Sequence, residues 1–219
     1  MTRARRRRGG KAIILPVCNR SPASPEAGRL RIPLPTPDAN RVRIIGGAFR
    51  RRVVRFPAAD GLRPTPDRVR ETLFNWLGQD LTGKRCLDLY AGSGALTIEA
   101  ASRGAAMAVA VDKSRALIDA LKATGAQLGA DVLEAQVADA RAFLHTERRL
   151  FDVIFADPPL RDDPWPSLLP AALARLAPDG FIYAEAGAPV APPPELAVWR
   201  RDRAGQVHYH LFVRSGPAA

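Results

Sequence analysis

The chain has 219 residues, 47% of them hydrophobic, and a formal net charge of +11. This length fits one α/β domain with a short appendage, and no apolar run reaches the roughly 18 residues that a membrane-spanning helix needs. The charge is uneven: residues 1–63 carry 16 Lys and Arg against 3 Asp and Glu, whereas residues 64–219 carry 17 against 19. A basic arm on a near-neutral body indicates a polyanionic partner.

Residues 1–40 combine arginine clusters with six prolines and show no helical or strand period, which predicts a flexible N-terminal arm. A solvated tail without a role is the alternative interpretation. Of the two cysteines, Cys18 lies in this arm and Cys86 in an apolar stretch. We therefore expect no disulfide and a cytoplasmic protein.

Residues 41–63 are predicted to form a basic β-hairpin extension. The strands are expected over Val42–Ile45 and Val53–Phe56, and the connection begins with Gly46-Gly47.

A helix is predicted to follow the hairpin and to open the main domain, residues 64–219. Thr65 is expected to be its N-cap, with Pro66 at the first helical position and an end near Leu77. From residue 84 onward, short apolar runs alternate with helical periods. The predicted strands are Arg85–Tyr90, Ala106–Asp112, Val132–Val137, Phe151–Ala156, Gly180–Ala186, Ala197–Arg203 and Gln206–Phe212, and the predicted helices are Gly94–Arg103, Ser114–Leu128, Ala140–Leu144 and Ser167–Leu176. This order predicts an α/β, Rossmann-like fold with a mainly parallel seven-stranded sheet that ends in a C-terminal antiparallel hairpin.

The first strand of the main domain runs into a turn with two glycines, Gly92 and Gly94, which let the backbone approach a ligand closely. Asp112 follows Gly92 by 20 residues at the end of the next strand, where a carboxylate can accept both hydroxyls of a ribose. Thr97 stands where a dinucleotide fingerprint has its third Gly or Ala, and Asp88 suits a cationic ligand better than a pyrophosphate. The pattern therefore favours S-adenosylmethionine; a glycine turn beside a helix-capping Asp is the alternative.

Asp139 follows the third strand of the main domain and can accept a hydrogen bond from an adenine amino group. It can also cap the predicted helix Ala140–Leu144, and the two roles can coexist. The histidines His145, His208 and His210 have no partners at metal-ligand spacing, so we expect no metal.

The most informative stretch is Asp157-Pro158-Pro159, which follows an apolar strand and so lies at the edge of the sheet where ligands bind. An amino group conjugated to a base ring is a poor nucleophile, because its lone pair is delocalised. Two acceptors can hold both N–H bonds and aim that lone pair at a methyl group. The Asp157 carboxylate and the Pro158 carbonyl supply such a pair, and the prolines restrict the backbone. The pattern indicates methyl transfer to an exocyclic amine of a nucleic-acid base.

Seven stretches in chain order carry a resemblance to a known family. They are Arg43–Gly47, Leu62–Thr65, Asp67–Asn75, Leu87–Ala95, Glu99–Gly104, Asp157–Pro159 and Ala204–Tyr209. Over roughly residues 41–213 they resemble the bacterial RsmD family, guanine-N2 methyltransferases of 16S ribosomal RNA. The resemblance implies a class I S-adenosylmethionine-dependent methyltransferase that acts as a monomer on 16S rRNA, within the 30S subunit or an assembly intermediate.

The resemblance also implies three sets of site residues. The catalytic set is Asp157, Pro158, Pro159 and Leu160. The cofactor set is Thr65, Phe74, Asn75, Asp88, Tyr90, Ala91, Gly92, Ser93, Gly94, Asp112, Lys113, Asp139 and Ala140, with the helix after Thr65 closing over the cofactor. The RNA-binding set is Arg41, Arg43, Arg50, Arg51, Arg52 and Arg55 of the hairpin, which would contact the RNA backbone; a solvated basic face is the alternative.

Leu160 departs from the family, which usually has an aromatic residue there to stack on the flipped-out base. Loss of stacking costs about 1–3 kcal/mol. Two other functions stay open beside the one that the resemblance implies. One is methylation of adenine N6 in DNA or RNA, which also uses Asp-Pro-Pro motifs. The other is a non-catalytic rRNA-binding assembly factor.

Overall fold

The computed structural model describes residues 40–59, 62, 64–159 and 163–216. The hairpin is present: β1 (Asn40–Arg43) pairs antiparallel with β2 (Val53–Phe56). The first strand begins and ends two residues before its predicted bounds, although the Ile44 N–H still donates to the Arg52 carbonyl at 2.9 Å. The predicted arm, apart from Asn40, lies outside the described residues.

The main sheet has seven strands in the order β5-β4-β3-β6-β7-β9-β8. Its strands are β3 (Arg85–Asp88), β4 (Met107–Asp112), β5 (Leu133–Val137), β6 (Phe151–Ala156), β7 (Leu176–Ala186), β8 (Leu196–Ala204) and β9 (Val207–Arg214). Strands β3 to β7 are parallel, and β9 and β8 form the antiparallel end. The predicted fold class is confirmed.

Five helices of the described chain accompany these strands. They are α1 (Asp67–Leu77), α2 (Ala95–Ser102), α3 (Arg115–Leu128), α4 (Ala140–Thr146) and α5 (Trp165–Leu173). The predicted end of α5 at Leu176 is wrong by three residues. The backbone there pairs with β6 instead, because the Phe151 N–H donates to the Arg175 carbonyl and Leu176 lies opposite Phe151. No helix among the described residues is long and apolar enough to span a bilayer.

Apolar side chains cover both faces of the central strands, as a parallel sheet requires. One face packs on α4 and α5 through Phe143, Leu144, Leu168 and Leu169. The other packs on α1 and α2 through Leu73, Phe74, Leu96 and Ala100. The underside of the hairpin, formed by Val42, Ile44, Val54 and Phe56, packs on α2 and α3. The hairpin therefore shares the core of the main domain.

Candidate active site

The strand order creates a switch point between β3 and β6, because the chain leaves these two strands toward opposite ends of the sheet. Ligands of open α/β sheets bind at such a point, outside the carboxyl ends of the strands. Asp88 ends β3, Asp157 directly follows β6, and Glu185 is the second-last residue of the adjacent β7. We call these three carboxylates the acidic edge.

Asp88 is 2% exposed, and the Thr97 hydroxyl donates to its Oδ2 at 2.7 Å. Burial raises the pKa of Asp88 to about 7, although the hydrogen bond from Thr97 lowers it; the charge of Asp112 raises it further. A cation bound beside Asp88 would favour its ionised form. Sequence reasoning used Thr97 only to reject a dinucleotide and missed that it holds Asp88.

The turn after β3 needs its glycines. Gly92 and Gly94 have φ values of 51° and 75° in the left-handed region, and a Cβ on Gly94 would lie 2.4 Å from Leu121 Cδ1. Asp112 holds the turn, since its Oδ2 accepts from the Gly92 N–H at 2.9 Å and its Oδ1 from the Ser114 N–H at 2.8 Å. The predicted cofactor residues Tyr90, Ala91 and Ser93 lie along the same turn. The structure thus brings Asp88–Gly94 and Asp112 together.

Asp139 caps α4, because its Oδ1 accepts from the N–H groups of Arg141 and Ala142 at 3.0 Å. Its Oδ2 lies 2.8 Å from Lys113 Nζ, so the ends of β4 and β5 are linked by an ion pair. The hydrogen bond from Lys113, followed by that from Ala142, lowers the pKa of Asp139. The capping role is confirmed; the contact with adenine stays a prediction. Ala140 is buried in the core.

Asp157 is half-buried, followed by a buried Pro158 and an exposed Pro159. The Thr65 hydroxyl donates to Asp157 Oδ2 at 3.4 Å. Burial raises the pKa of Asp157 well above its ordinary value, the charges of Glu185 and Asp88 raise it further, and the Thr65 hydrogen bond lowers it. Leu160 lies outside the described residues, so its role stays a prediction.

Glu185 is a site residue that sequence reasoning missed. It is 4% exposed, and the Tyr183 hydroxyl donates to its Oε1 at 2.7 Å. Burial raises the pKa of Glu185, whereas hydrogen bonds from Tyr183 and Thr65 lower it. The charge of Glu185 in turn raises the pKa of Asp157. The available signal was the single carboxylate in the otherwise uncharged predicted strand Gly180–Ala186.

The prediction that Thr65 caps α1 is wrong. The helix begins at Asp67 after Pro66 and has no side-chain cap. The buried Thr65 hydroxyl instead donates to the Asp157 carboxylate, and Thr65 lies two residues before the first helical residue, Asp67. The start of α1 is thereby attached to the acidic edge.

Two predicted cofactor residues of α1 are not brought to the acidic edge. Phe74 is fully buried, with its ring 6.1 Å from that of Phe155 and the Arg103 guanidinium 4.5 Å above it. Asn75 accepts a hydrogen bond from Gln79 and lines a separate cleft of about 420 Å³ with Arg103.

The hairpin arginines Arg41, Arg43, Arg50, Arg51, Arg52 and Arg55 are all exposed. Among the described ion pairs, this set contributes the contact of Arg43 with Asp67 at 3.5 Å. A cleft of about 540 Å³ lies between the hairpin and the segment Pro64–Asp67. It connects the basic surface to Thr65, the residue that holds Asp157.

Buried charges fix the hairpin to the main domain, and we call this group the hairpin anchor. Glu99 accepts from the N–H groups of Ile45 at 2.9 Å and Gly46 at 2.7 Å. Arg70 is fully buried; its Nη1 lies 3.4 Å from Glu99 Oε2, and its Nε donates to the Thr65 carbonyl at 3.2 Å. Its Nη2 donates to the Arg43 carbonyl at 2.9 Å. One guanidinium therefore joins the hairpin to the segment that holds Asp157.

Comparison with known proteins places this geometry in a family. Residues 42–213 match the family model described as Conserved hypothetical protein 95. Ribosomal RNA small subunit methyltransferase D of Escherichia coli K12 is 38% identical over 186 residues, which cover 80% of this chain and 91% of that protein. The protein of the same name from Haemophilus influenzae is 34% identical over 190 residues, covering 81% and 96%.

Solved structures agree with this result. The Escherichia coli protein yhhF, described as a methyltransferase, matches with a TM-score of 0.73 at 38% identity over 81% of this chain and 100% of that one. TrmN from Thermus thermophilus matches with a TM-score of 0.58 at 23% identity over 66% of this chain and 48% of that one, which shows a shared class I methyltransferase fold alone. On the family model and on relatives of this identity and coverage, the chain belongs to the RsmD family.

Proposed function

We propose that this protein transfers a methyl group from S-adenosylmethionine to the exocyclic N2 amine of a guanine in 16S rRNA. The observation that carries the proposal is Asp157: a half-buried carboxylate, directly before two prolines, at the switch point of the sheet. The names of the relatives, ribosomal RNA small subunit methyltransferase D, support small-subunit rRNA as the substrate.

The residues of the acidic edge and the glycine turn fit S-adenosylmethionine chemically. Asp88 is a buried carboxylate with a pKa raised to about 7 and no ion-pair partner among the described residues, so it suits a cationic ligand. Gly92 and Gly94 leave backbone space, and Asp112 keeps lone pairs for ribose hydroxyls. Asp139 would hold the adenine amine. When bound, the cofactor supplies a methyl group already activated by its sulfonium.

The contribution of the protein to the chemistry is orientation. The Asp157 carboxylate would accept one N–H of the target amine and the Pro158 carbonyl the other, which aims the nitrogen lone pair. Thr65 limits the rotation of Asp157 through its hydrogen bond to Oδ2. The amine must lose one proton on methylation, and the raised pKa of Asp157 suits this carboxylate to receive it.

The RNA would approach from the hairpin side. The exposed hairpin arginines would contact phosphates, which is the usual source of position and affinity in such complexes. The cleft between the hairpin and Pro64–Asp67 would lead the strand toward Thr65 and Asp157.

The proposal is tested by incubating 30S subunits from a strain that lacks the gene with the protein and labelled S-adenosylmethionine. Digested 16S rRNA is then analysed by nucleoside mass spectrometry. We expect N2-methylguanosine. The appearance of 6-methyladenosine as the sole product would instead establish the adenine-N6 alternative, and stable RNA binding without any transfer would establish an assembly factor.

A further inference from the structure

We propose that the outer edge of the main sheet is a second RNA-binding surface, which stacks an unpaired base on Trp199 and binds backbone phosphates through Arg200, Arg201 and Arg203. This surface, the β8 edge, is separate from the acidic edge and from the hairpin. The inference depends on the proposed function only for the identity of the polyanion as RNA.

The exposure of Trp199 is the first observation. Its exposed fraction is 57%, and the preceding Val198 is 40% exposed, on the last strand of the sheet. The other tryptophans are placed differently: Trp165 is buried, and the half-buried Trp76 packs on Tyr209 with ring centroids 5.4 Å apart. A large indole left in solvent on an otherwise well-packed domain indicates a contact surface.

The backbone of β8 supplies a second, independent observation. The pairing of β8 with β9 shifts register between Val198 and Arg200, so Trp199 is the extra residue of a bulge. Bulges change the direction of a side chain and are common at sheet edges beside functional sites. An ordinary edge strand needs no such irregularity to present polar residues.

The charge around the indole identifies the occupant. The Arg200 guanidinium lies 6.0 Å from the centroid of the Trp199 ring, and Arg201 and Arg203 are exposed without a carboxylate partner among the described residues. Asp202, the acidic residue of this strand, accepts from the Tyr209 hydroxyl at 3.0 Å. An exposed aromatic face with one guanidinium beside it, on a strand that carries two further exposed arginines, has the chemistry that single-stranded nucleic acids bind.

A second copy of the chain fits this surface poorly. Pairing of two β8 edges would bring the arginine runs together, and like charges opposite each other destabilise a sheet. Arginines alone are explained as protection against such pairing. That explanation does not cover Trp199, because an exposed indole promotes association instead of preventing it.

The β8 edge is also within reach of the target. It lies three strands from β6, which is about 14 Å at roughly 4.8 Å per strand. Through β9, Arg201 is level with Ala184 and Arg203 with Ala186, so both lie beside the carboxyl end of β7. An RNA strand with its guanine at Asp157 would reach Trp199 within a few nucleotides.

The test titrates the full chain with a 12-nucleotide oligouridine and follows tryptophan fluorescence. We expect quenching in the original protein that is lost in Trp199→Ala. The affinity of each variant, measured by the fluorescence anisotropy of an end-labelled oligouridine, should fall about tenfold in Trp199→Ala and stay near the original value in Trp199→Phe. The double variant Arg200→Ala, Arg201→Ala should reduce the slope of log affinity against log salt by roughly 1.4. Arg148→Ala, an exposed arginine just before the amino end of β6, is the matched control and should change neither quantity.

Unchanged affinity and quenching in Trp199→Ala would overturn the inference. So would a concentration-dependent dimer that Trp199→Ala abolishes while oligouridine binding is intact, because the edge would then serve a second copy. Failure of guanine methylation with Trp199-dependent RNA binding intact would reject only the proposed function. Methylation with no contribution from Trp199 would reject only the β8 edge.

Discussion

The acidic edge and the hairpin anchor both bury carboxylates, but they satisfy them differently. In the hairpin anchor, Glu99 is 0% exposed and is paired with two guanidinium groups, Arg70 at 3.4 Å and Arg103 at 2.8 Å. Two backbone N–H groups also donate to it. A buried charge with this many partners is stable without any ligand.

The acidic edge has hydroxyl partners instead of cations. The Thr97 hydroxyl donates to Asp88, the Thr65 hydroxyl to Asp157 and the Tyr183 hydroxyl to Glu185. No ion pair within the described part of the chain involves these three carboxylates. Nor do the described residues gather a metal-binding group of His, Cys, Asp and Glu. The charge of the hairpin anchor is therefore balanced within the protein. At the acidic edge, a cationic cofactor would supply the positive charge that balances the carboxylates.

The largest expected effect is on catalysis at the acidic edge. Asp157→Ala removes one of the two acceptors for the target amine, so transfer should fall by at least about 100-fold. Cofactor affinity should remain within about threefold by calorimetry, because the cofactor contacts are assigned to other residues. Asp179→Ala, an exposed carboxylate of β7, is the control. Loss of cofactor binding as the main effect would contradict the assigned role of Asp157.

The anchor is tested by removing its anion. Glu99→Gln leaves the buried Arg103 without a carboxylate partner among the described residues and leaves Arg70 paired with Asp67 alone, so the free energy of unfolding in urea should fall by roughly 3–5 kcal/mol. Glu134→Gln removes one of the two carboxylates paired with Arg149, at 2.9 Å and a partly exposed position, and should cost less than about 1 kcal/mol. Equal losses in the two variants would show that the anchor does not depend on its buried charge.

The lack of a paired cation at the acidic edge, among the described residues, predicts that cofactor affinity depends on pH. Without ligand, Asp88 has a pKa of about 7, and a bound cation lowers that pKa. Cofactor affinity should therefore rise with pH up to and slightly above 7 and then level off. Asp88→Asn should bind roughly tenfold more weakly than the original protein at pH 8 and equally at pH 5.5. If calorimetry shows that the cofactor affinity of Asp88→Asn rises with pH as that of the original protein does, Asp88 is not the titrating group.

The smallest effect is expected from Glu185→Gln. The variant removes a negative charge that raises the pKa of Asp157, so the midpoint of the activity profile should move to lower pH. Because the folded pKa of Glu185 is itself raised, its carboxyl group stabilises less as pH increases through that value. The variant should therefore gain unfolding free energy relative to the original protein as the pH rises above about 4.5, the ordinary pKa of a glutamate. Asp179→Asn, which removes an exposed carboxylate of the same strand, is the control and should not reproduce the shift in the activity profile toward lower pH.

Local signals predicted much of this molecule. The alternation of apolar runs and helical periods predicted a mainly parallel sheet with a C-terminal antiparallel hairpin, but not the order of its strands. Gly92, Gly94 and Asp112 identified the turn, because their roles depend on residues near in sequence or on the next strand. The hydrogen bond from Thr65 to Asp157 joins residues that are 92 positions apart, and no local sequence pattern predicts it. Phe74 was predicted as a cofactor residue, and its neighbours Phe155 and Arg103 depend on how three elements pack.

Arg70 has a consequence for protein engineering. Its guanidinium contacts the hairpin at the Arg43 carbonyl, α2 at Glu99 and the active-site segment at the Thr65 carbonyl. The hairpin is therefore no interchangeable module. A chimera that carries the hairpin of another protein would have to keep the carbonyl of residue 43 in the same position and retain the Arg70–Glu99 pair. Otherwise the new hairpin would also displace Thr65.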